Sequence, residues 1–299
     1  MKRRTFIRHT SLTAGALWIG PSVYAGEHNL AKKITILHTN DTHSNIDAFP
    51  SNHAKYPGLG GVARRFDLFQ KVRAEESNVI VLDSGDIFQG TPYFNKYGGV
   101  LEMKVMSELG YDAGTMGNHD FDAGLEGFLK ARQHANFPFV CANYDFSETI
   151  LKEQTQKNTI LERGGLKIGV FGIGVELKGL VPDSKYGNTK YLDPIQVANE
   201  QAAELKKKGC DLIICLSHLG FEYPDDKVSD KVLASKTSGI HLILGGHTHT
   251  FLDKPFETKN LLGDIVLINQ MGYAGVQVGR LDYCLEKKKF ITHQVMDVK

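Results

Sequence analysis

Cysteine, tryptophan and excess charge are scarce in this chain, and each scarcity argues against a class of protein. The 299 residues include four cysteines and one tryptophan, and the formal net charge at pH 7 is +1. None of the cysteines makes a Cys-x-x-Cys pair, so a zinc ribbon or a thioredoxin-like redox site is not expected. A nearly neutral chain provides no strong field for nucleic acid or for an anionic membrane. The 41% of hydrophobic and 23% of charged residues are ordinary values for a globular protein.

The N-terminus combines a basic start with a short apolar stretch. Residues 2–8 contain an Arg-Arg pair, residues 11–20 are apolar but too few to anchor the chain stably in a bilayer, and Ala25 completes a small-residue cleavage site. This pattern resembles a twin-arginine export signal. We therefore predict an export signal over 1–25 and a single domain over 26–299. The mature protein would be periplasmic or otherwise exported, without a stable membrane anchor. The alternatives are an uncleaved signal anchor and a basic start that arises by chance.

Apolar runs typical of buried strands alternate with amphipathic segments, which predicts an α/β fold. Strands are predicted over residues 33–38, 79–82, 112–116, 139–142, 167–173, 211–216 and 240–244. Helices are predicted after the glycine pair at 60–61 and over 100–109, 125–134, 195–207 and 227–234. Three more strands, expected to be antiparallel, follow without helices over 264–269, 277–285 and 290–298. A loop is expected over 44–58, and a polar excursion over the surface is expected at 143–158.

Polar clusters follow five of the predicted strands. The clusters are Asp41 with His43, Asp86, Asn118 with His119, His218, and His247 with His249. Parallel strands direct their carboxyl ends to one edge of a sheet, so these turns can meet in one crevice. Carboxylate, amide and imidazole groups without a thiolate suit zinc, manganese or iron.

Seven side chains in these clusters are candidate metal ligands, which is more than one ion needs. They are Asp41, His43, Asp86, Asn118, His218, His247 and His249. Seven ligands serve two ions if one carboxylate bridges them. Two divalent ions about 3.5–4 Å apart can hold a phosphate group and generate hydroxide near neutral pH. The residues therefore predict a dinuclear site that acts on a phosphate ester.

The order of these clusters resembles the five sequence blocks of the calcineurin-like metallophosphoesterases. The blocks are Asp41-x-His43, Gly85-Asp86, Gly117-Asn118-His119, His218 and Gly246-His247-x-His249. A closer resemblance, to the catalytic domain of the 5′-nucleotidase family, is carried by His38-Thr39-Asn40-Asp41-x-His43, Gly60-Gly61-x-Ala63-Arg64 and Gly117-Asn118-His119-x-Phe121-Asp122. Several blocks in the right order are far more specific than any one of them. The resemblance implies a four-layer fold in which two mixed β-sheets are packed between helices.

The resemblance also implies a role for each matched residue. The ligands of the first ion would be Asp41, His43 and His249, those of the second would be Asn118, His218 and His247, and the bridge would be Asp86. His119 would donate a proton to the leaving alkoxide, and Asp122 would hold His119 in place. Asn118 and His119 would also contact the phosphoryl oxygens. The implied reaction is hydrolysis of phosphomonoesters, nucleotides first, by a metal-activated water.

One departure from the 5′-nucleotidase pattern leaves the substrate open. Members of that family continue into a further domain of similar size that binds the nucleobase, whereas this sequence ends at Lys299. A separate protein could supply that domain. The enzyme could instead cleave cyclic nucleotides or nucleotide sugars, or act as a related thiosulfohydrolase. A binding subunit without activity is a further alternative, which the complete set of ligands disfavours.

Several other residues are expected to have supporting roles. Asp83 is expected to brace either its own turn or a metal-bound histidine, and Asp120 to point away from the site as a bystander. Arg64 and Arg65 are expected on a solvated helix face, with steering of an anionic substrate as the alternative. The aromatic side chains over 93–97 are expected in a loop that contacts substrate or closes over the core.

Overall fold

Two mixed β-sheets packed face to face lie at the centre of the computed structural model, which describes residues 33–299. The strands of the described chain are β1 (Lys33–Thr39), β2 (Val79–Asp83), β3 (Ala113–Gly114), β4 (Tyr144–Asp145), β5 (Asn158–Arg163), β6 (Leu166–Ile173), β7 (Lys190–Tyr191), β8 (Leu212–Ser217), β9 (Leu242–Leu244), β10 (Phe256–Lys259), β11 (Ile265–Asn269), β12 (Gln277–Cys284) and β13 (Lys289–Asp297). Sheet 1 has the order β13-β12-β1-β2-β3, and sheet 2 has the order β10-β11-β9-β8-β6-β5. Strands β4 and β7 form a separate pair.

Helices cover the outer face of each sheet. Within the described residues they are α1 (Val62–Glu75), α2 (Pro92–Tyr97), α3 (Val100–Leu109), α4 (Gly124–Arg132), α5 (Asp183–Tyr186), α6 (Pro194–Lys207) and α7 (Asp230–Lys236). Side chains of α1, α3 and α4 share a hydrophobic cluster with sheet 1, and those of α6 and α7 share one with sheet 2. The predicted fold, two mixed sheets packed between helices in four layers, is confirmed.

The layer between the two sheets is an apolar core built from both of them. Ile34 and Ile36 of β1 and Leu216 of β8 are fully buried in this layer, whereas Leu37 packs toward the helices. Successive side chains of a strand point to opposite faces, which explains the division within β1. Each fully buried leucine or isoleucine contributes about 1.5–3 kcal/mol. This core holds in place the strand ends on which the site is built.

Local sequence features explain the start of α6 and the turn of the β5–β6 hairpin. Asp193 caps α6, because its Oδ1 accepts a hydrogen bond from the N–H of Gln196 at 2.8 Å, and Pro194 follows in the first turn. Gly164 and Gly165 connect the hairpin with φ values of 57° and 74°. Glycine adopts positive φ without a steric penalty, and two-residue hairpin turns need it.

The end of the chain pairs differently from the prediction. Its strands do not form one antiparallel set, because β12 and β13 pair antiparallel in sheet 1 while β11 lies parallel to β9 in sheet 2. The prediction also lacks β10, which pairs with β11 at the edge of sheet 2. Strand pairing depends on contacts between distant residues, so order along the chain does not determine which sheet a strand joins.

Regular structure also differs from the prediction at four shorter segments. Strand β3 keeps only two residues of the strand predicted over 112–116, and residues in 139–142 make isolated bridges instead of a strand. Helix α2 forms where a loop was expected over 93–97. The polar segment 143–158 is not a surface excursion throughout, because it buries several large side chains in the core of sheet 1.

Arg65 is buried, which corrects the expectation of a solvated position. Its exposure is 5%, and it lies on the face of α1 that also buries Phe69 and Val72. These residues are four and seven positions further along the helix, so they share one side of it. Arg65 is buried together with that face. Its positive charge acts to lower the pKa values of Asp83 and Tyr111, which burial raises.

The candidate site lies at the carboxyl ends of β1, β2 and β3 in sheet 1 and of β8 and β9 in sheet 2. The turns after these strands carry all of the predicted ligands. Residues 33–299 include no helix with the length and apolar character needed to cross a bilayer. The four cysteines are unpaired, and three of them are buried in the core. The predicted export signal over 1–25 falls outside the described residues.

Candidate metal centre

Six carboxylate and imidazole side chains form two groups with the spacing of metal ligands. The first ligand group is Asp41, His43 and His249, and the second ligand group is Asp86, His218 and His247. Within each group, the ligand atoms lie within 4.8 Å of one another. Each group combines residues that follow strands of sheet 1 with residues that follow strands of sheet 2. Neither sheet alone contains either group.

The Asp86 carboxylate lies between the two groups. Its Oδ2 is 3.1 Å from Nε2 of His218 and 3.8 Å from Nε2 of His43. Its Oδ1 accepts a hydrogen bond from the N–H of His119 at 2.8 Å. The backbone therefore holds one oxygen while the other faces an imidazole of each group. A carboxylate that bridges two ions needs this position.

Backbone carbonyl groups select the tautomer of two imidazoles. Nδ1–H of His218 donates to the carbonyl oxygen of Ser84 at 2.6 Å, and Nδ1–H of His43 donates to that of Phe88 at 3.2 Å. A carbonyl oxygen only accepts, so in each neutral ring the lone pair is on Nε2. Nitrogen ligands of metals are commonly oriented by such a bond from the other ring nitrogen.

One buried atom of the second ion's candidate ligands, Oδ1 of Asn118, has no hydrogen-bond partner among residues 33–299. Nε2 of His218 faces Oδ2 of Asp86 at 3.1 Å. An unpaired buried polar atom costs about 1–3 kcal/mol, so Oδ1 of Asn118 is suited to a ligand that the protein itself does not supply. A divalent cation fits, because amide oxygen and imidazole nitrogen are both suitable donors to zinc, manganese or iron.

Gly117 allows the turn after β3, which carries Asn118, to pack closely against the second ligand group. A Cβ atom at Gly117 would overlap Oδ1 of Asp86 and would lie 2.6 Å from Cε1 of His218. Only glycine allows the end of β3 to approach both ligands so closely. Since Asn118 is the next residue, the same approach brings its buried side chain to this end of the sandwich. The structure thus collects all seven predicted ligands in one region.

Five of the seven candidate ligands have backbone torsions in the left-handed region. The φ values are 48° for Asp41, 45° for His43, 55° for Asp86, 71° for His247 and 52° for His249. Residues with side chains seldom adopt positive φ, although Asp and His do so more often than most. Such strain persists where the surrounding structure dictates the conformation. The backbone of these turns therefore fixes the direction of the five ligand side chains, at some cost in conformational energy.

Burial and mutual charge shift the pKa values of two imidazoles in opposite directions. Burial alone would lower the pKa of His218, but the Asp86 and Asp41 carboxylates outweigh it and raise that pKa to about 10. Burial, aided by the neighbouring His218, lowers the pKa of His247 to about 4. His218 must release its proton when a cation binds to Nε2, so metal affinity rises with pH.

His119 and Asp122 form a hydrogen-bonded pair at the open side of the centre. Nδ1–H of His119 donates to Oδ2 of Asp122 at 2.8 Å, and the two side chains are 38% and 28% exposed. The hydrogen bond to Asp122 raises the pKa of His119 in spite of partial burial. The centroid of the His119 ring lies 5.2 Å from that of His43. A ring in this place can deliver a proton to a group held at the centre.

Asp120 organises the turn that carries Asp86, and its role was missed when it was assigned as a bystander. Its carboxylate is fully buried and accepts four backbone hydrogen bonds. Oδ2 accepts from the N–H groups of Asp86 and Gly117 at 2.9 and 2.8 Å, and Oδ1 accepts from those of Ile87 and Phe88 at 3.0 and 3.1 Å. Asp120 therefore links the turn after β2 to the turn after β3. Nothing in the sequence pattern distinguishes it from its acidic neighbour two residues later.

Asp83 braces the turn after β2, which is the first of its two predicted roles. Its Oδ1 accepts from the N–H of Gly85 at 2.9 Å, and its Oδ2 accepts from the hydroxyl of Thr39 at 2.5 Å. Burial raises the pKa of Asp83 to about 7. Because Thr39 ends β1, this side chain ties the ends of two neighbouring strands of sheet 1 together.

Gln270, which the sequence prediction overlooked, supports the turn after β9. Its buried Oε1 accepts from the N–H of Thr250 at 2.5 Å, and its Nε2 donates to the carbonyl oxygen of Gly246 at 2.5 Å. The two bonds bracket the segment that carries both histidines of this turn. Gln270 follows β11, which lies parallel to β9, so its position at another strand end was the available signal.

Tyr273 is a second overlooked residue, and it packs against the first ligand group. The centroid of its ring lies 4.8 Å from that of His249 and 5.3 Å from that of His43. Contacts at these distances restrict the rotation of both imidazoles. A tyrosine after a strand gives no such signal in the sequence, because its partners are distant along the chain.

Comparison with known proteins identifies the family. The model of the calcineurin-like phosphoesterases matches residues 34–251. The chain therefore belongs to the calcineurin-like phosphoesterases, a class of metal-dependent phosphoester hydrolases, as the order of the sequence blocks predicted.

Similar proteins narrow the branch within this family. Snake venom 5′-nucleotidase of Gloydius brevicauda is 36% identical over 300 residues, which cover 93% of this chain and 49% of that protein. The crystal structure of the 5′-nucleotidase precursor of Thermus thermophilus has a TM-score of 0.77 at 33% identity, over 88% of this chain and 54% of that one. NAD nucleotidase of Haemophilus influenzae has a TM-score of 0.74 at 28% identity, over 88% and 49%. The chain thus resembles 5′-nucleotidases, and it spans half or less of the length of the first curated relatives that it matches.

Proposed function

We propose that this chain is an exported phosphohydrolase that cleaves phosphomonoesters at a centre of two divalent ions. The observation that supports this most is the Asp86 carboxylate, which faces an imidazole of both ligand groups beside the His119–Asp122 pair. Two adjacent ions and a proton donor are the parts that phosphate ester hydrolysis needs.

The seven ligands would divide between the two ions as their positions suggest. The first ion would take the first ligand group, namely Asp41, His43 and His249. The second ion would take His218, His247 and the unpaired oxygen of Asn118, and Asp86 would be shared. The donors admit zinc, manganese or iron. When bound, such ions would supply an activated water and polarise the phosphoryl group.

The remaining chemistry would come from side chains of this chain. Asp122 accepts the Nδ1–H of His119, so that Nε2 of the imidazolium is directed away from Asp122 and can protonate the leaving alkoxide. The raised pKa of His119 keeps this proton available at neutral pH. Asn118 and His119 would also contact the phosphoryl oxygens. Loss of the alkoxide as an alcohol then leaves phosphate at the centre.

The substrate would be a nucleotide, by analogy with the 5′-nucleotidase relatives. Nucleoside 5′-monophosphates are the first candidates, followed by cyclic nucleotides and nucleotide sugars. A separate protein that contributes nucleobase recognition would be a natural partner. Export would follow from the basic and apolar start of the chain, with cleavage after residue 25.

One experiment tests the centre and the substrate together. The purified protein is loaded with zinc, manganese or iron, its metal content is measured, and release of phosphate is followed on nucleoside 5′-monophosphates and simple alkyl phosphates. We expect two metal equivalents and turnover of phosphomonoesters. One equivalent, or two equivalents without phosphate release, would contradict the proposal. Hydrolysis of an S-sulfonated thiol (R–S–SO₃⁻) to the thiol and sulfate, without release of phosphate from phosphate esters, would favour the thiosulfohydrolase alternative.

A further inference from the structure

The segment between β8 and α7 is connected to both turns of sheet 2 that carry candidate ligands. It comprises residues 219–227 and begins directly after His218, and we call it the 219–227 loop. The N–H of Phe221 donates to Oγ1 of Thr248 at 3.0 Å. Thr248 lies between the two histidines of the turn after β9. The loop is therefore attached to the sheet 2 side of the centre.

The side chain of Tyr223 packs against the same two turns. Its hydroxyl donates to the carbonyl oxygen of Leu219 at 2.6 Å. A Cβ atom at Gly220 would overlap this hydroxyl and would lie 2.7 Å from Cγ2 of Thr248. Gly220 also has a φ value of 96°, so only glycine lets the loop pass this closely. The hydroxyl end of the Tyr223 ring is thus fixed beside the residue that follows His218.

The Tyr223 ring in turn holds the ammonium group of Lys227. Nζ of Lys227 lies 4.4 Å from the ring centroid, and the face of an aromatic ring attracts a cation at this distance. Two aspartates precede Lys227: Oδ1 of Asp225 accepts the backbone N–H of Lys227 at 3.2 Å, and Asp226 is exposed to solvent. Lys227 has no salt bridge with another residue of the range 33–299. Its charge is therefore available to a further anion.

The charge of Lys227 also acts on the second ligand group. Burial and the neighbouring His218 lower the pKa of His247, and the ammonium group of Lys227 acts in the same direction. A positive charge in this place repels cations when the centre lacks an anion. Once cations are bound, the same charge adds to theirs and attracts a phosphate group. Lysine is a common phosphate-binding residue and acts as a point charge.

We propose that Lys227 is a substrate-binding residue whose ammonium group contacts the phosphate group held at the centre. The inference rests on the proposed phosphohydrolase function, because it requires a phosphate there. Asn118 and His119 would reach the phosphoryl oxygens from sheet 1, whereas Lys227 would reach them from the sheet 2 side. A point charge interacts similarly with the phosphate of the substrate, the transition state and the product. Lys227 would therefore contribute to affinity and not to the rate of the chemical step.

The test is equilibrium binding of inorganic phosphate to the metal-loaded protein, measured by calorimetry. Lys227→Ala should weaken phosphate binding about three- to tenfold, the effect of one lost ionic contact at a partly exposed site. Lys227→Arg keeps the charge and should bind within about twofold of the wild type. Lys231→Ala is the matched control. Lys231 also lies over an aromatic ring, 4.9 Å from the centroid of Phe256, but it is paired with Glu222 at 2.6 Å.

Turnover assays separate this contact from the chemistry of the centre. Lys227→Ala should raise KM for alkyl phosphates by the factor seen in phosphate binding and leave kcat within about twofold, because uniform binding is lost. The difference from the wild type should shrink as salt is added. Phosphate that fails to bind the wild type, or equal phosphate affinities of Lys227→Ala and Lys231→Ala, would overturn the inference. A protein that binds phosphate through Lys227 and hydrolyses no phosphomonoester would refute the proposed function and not this contact.

Discussion

Replacing Asp120 with Asn turns a buried carboxyl group into an amide of nearly the same size. In the wild type, four backbone N–H groups donate to the two oxygens of Asp120, two to each. An amide keeps only one oxygen, so its NH₂ group would face two N–H donors. Whichever way the amide is turned, one pair of hydrogen bonds is lost and two donors are left opposed.

The size of the effect follows from these two bonds. Burial and the neighbouring Asp86 raise the pKa of Asp120 to about 7, so at neutral pH the carboxyl group is only partly charged. Each buried N–H group left without an acceptor costs about 1–3 kcal/mol, so Asp120→Asn should reduce the free energy of unfolding by roughly 2–6 kcal/mol. In a domain of this size, that corresponds to a fall in Tm of about 4–24 °C. The turn after β2 should also relax, because Asp120 holds the N–H of Asp86 directly. We therefore expect the variant to bind less than two equivalents of metal.

The matched control is Asp122→Asn, the same chemical change two residues further along the chain. The Asp122 carboxylate is partly exposed, and its side-chain hydrogen bond within residues 33–299 is to His119. Replacing it should therefore lower the free energy of unfolding by less than about 1 kcal/mol. Thermal unfolding is followed by circular dichroism with and without chelator, beside metal analysis of each variant. If the Tm of Asp120→Asn lies within about 3 °C of that of Asp122→Asn and the variant retains both metals, Asp120 is not the organiser of this turn.

Four further predictions concern the centre. His119→Ala should keep both metals and slow alkyl phosphates about 10²–10⁴-fold, with a smaller effect on activated aryl phosphates; equal losses on both would exclude a proton donor. Asp122→Asn should lower the pKa of His119, so that the fall of kcat at alkaline pH begins at a lower pH; an unmoved profile would contradict the pairing. Asp86→Ala should bind fewer than two metal equivalents, which elemental analysis would show. Tyr273→Ala should weaken metal binding at the first ligand group about tenfold, with Tyr273→Phe close to wild type in a chelator competition.

The candidate ligands could be predicted from the sequence because each follows a buried strand. An apolar run that stops at Asp41 or at His218 reveals both the strand and the polar turn after it, and both features are local. The fold class follows from the same runs. Their convergence required only that parallel strands end at a common edge, although here two sheets provide that edge in place of one.

The supporting residues could not be predicted because their roles depend on distant partners. Gln270 matters through bonds to the turn after β9, and Asp120 through bonds to the turn after β2, and both turns lie well before them in the chain. The pairing of β11 with β9, which was assigned wrongly, is of the same kind. Arg65 was misplaced because charge predicted exposure, whereas the face of α1 on which it lies turns toward the core.

The mixed origin of the two ligand groups makes the centre a connection between the halves of the sandwich. A molecule with only sheet 1 formed would have Asp41 and His43 without His249, and Asp86 without His218 or His247. Cation uptake would then report that the two sheets have docked, and not merely that each has formed. A chain cut in the segment between β3 and β5 should accordingly reassemble more readily with metal than without it, because each bound ion would fasten one fragment to the other.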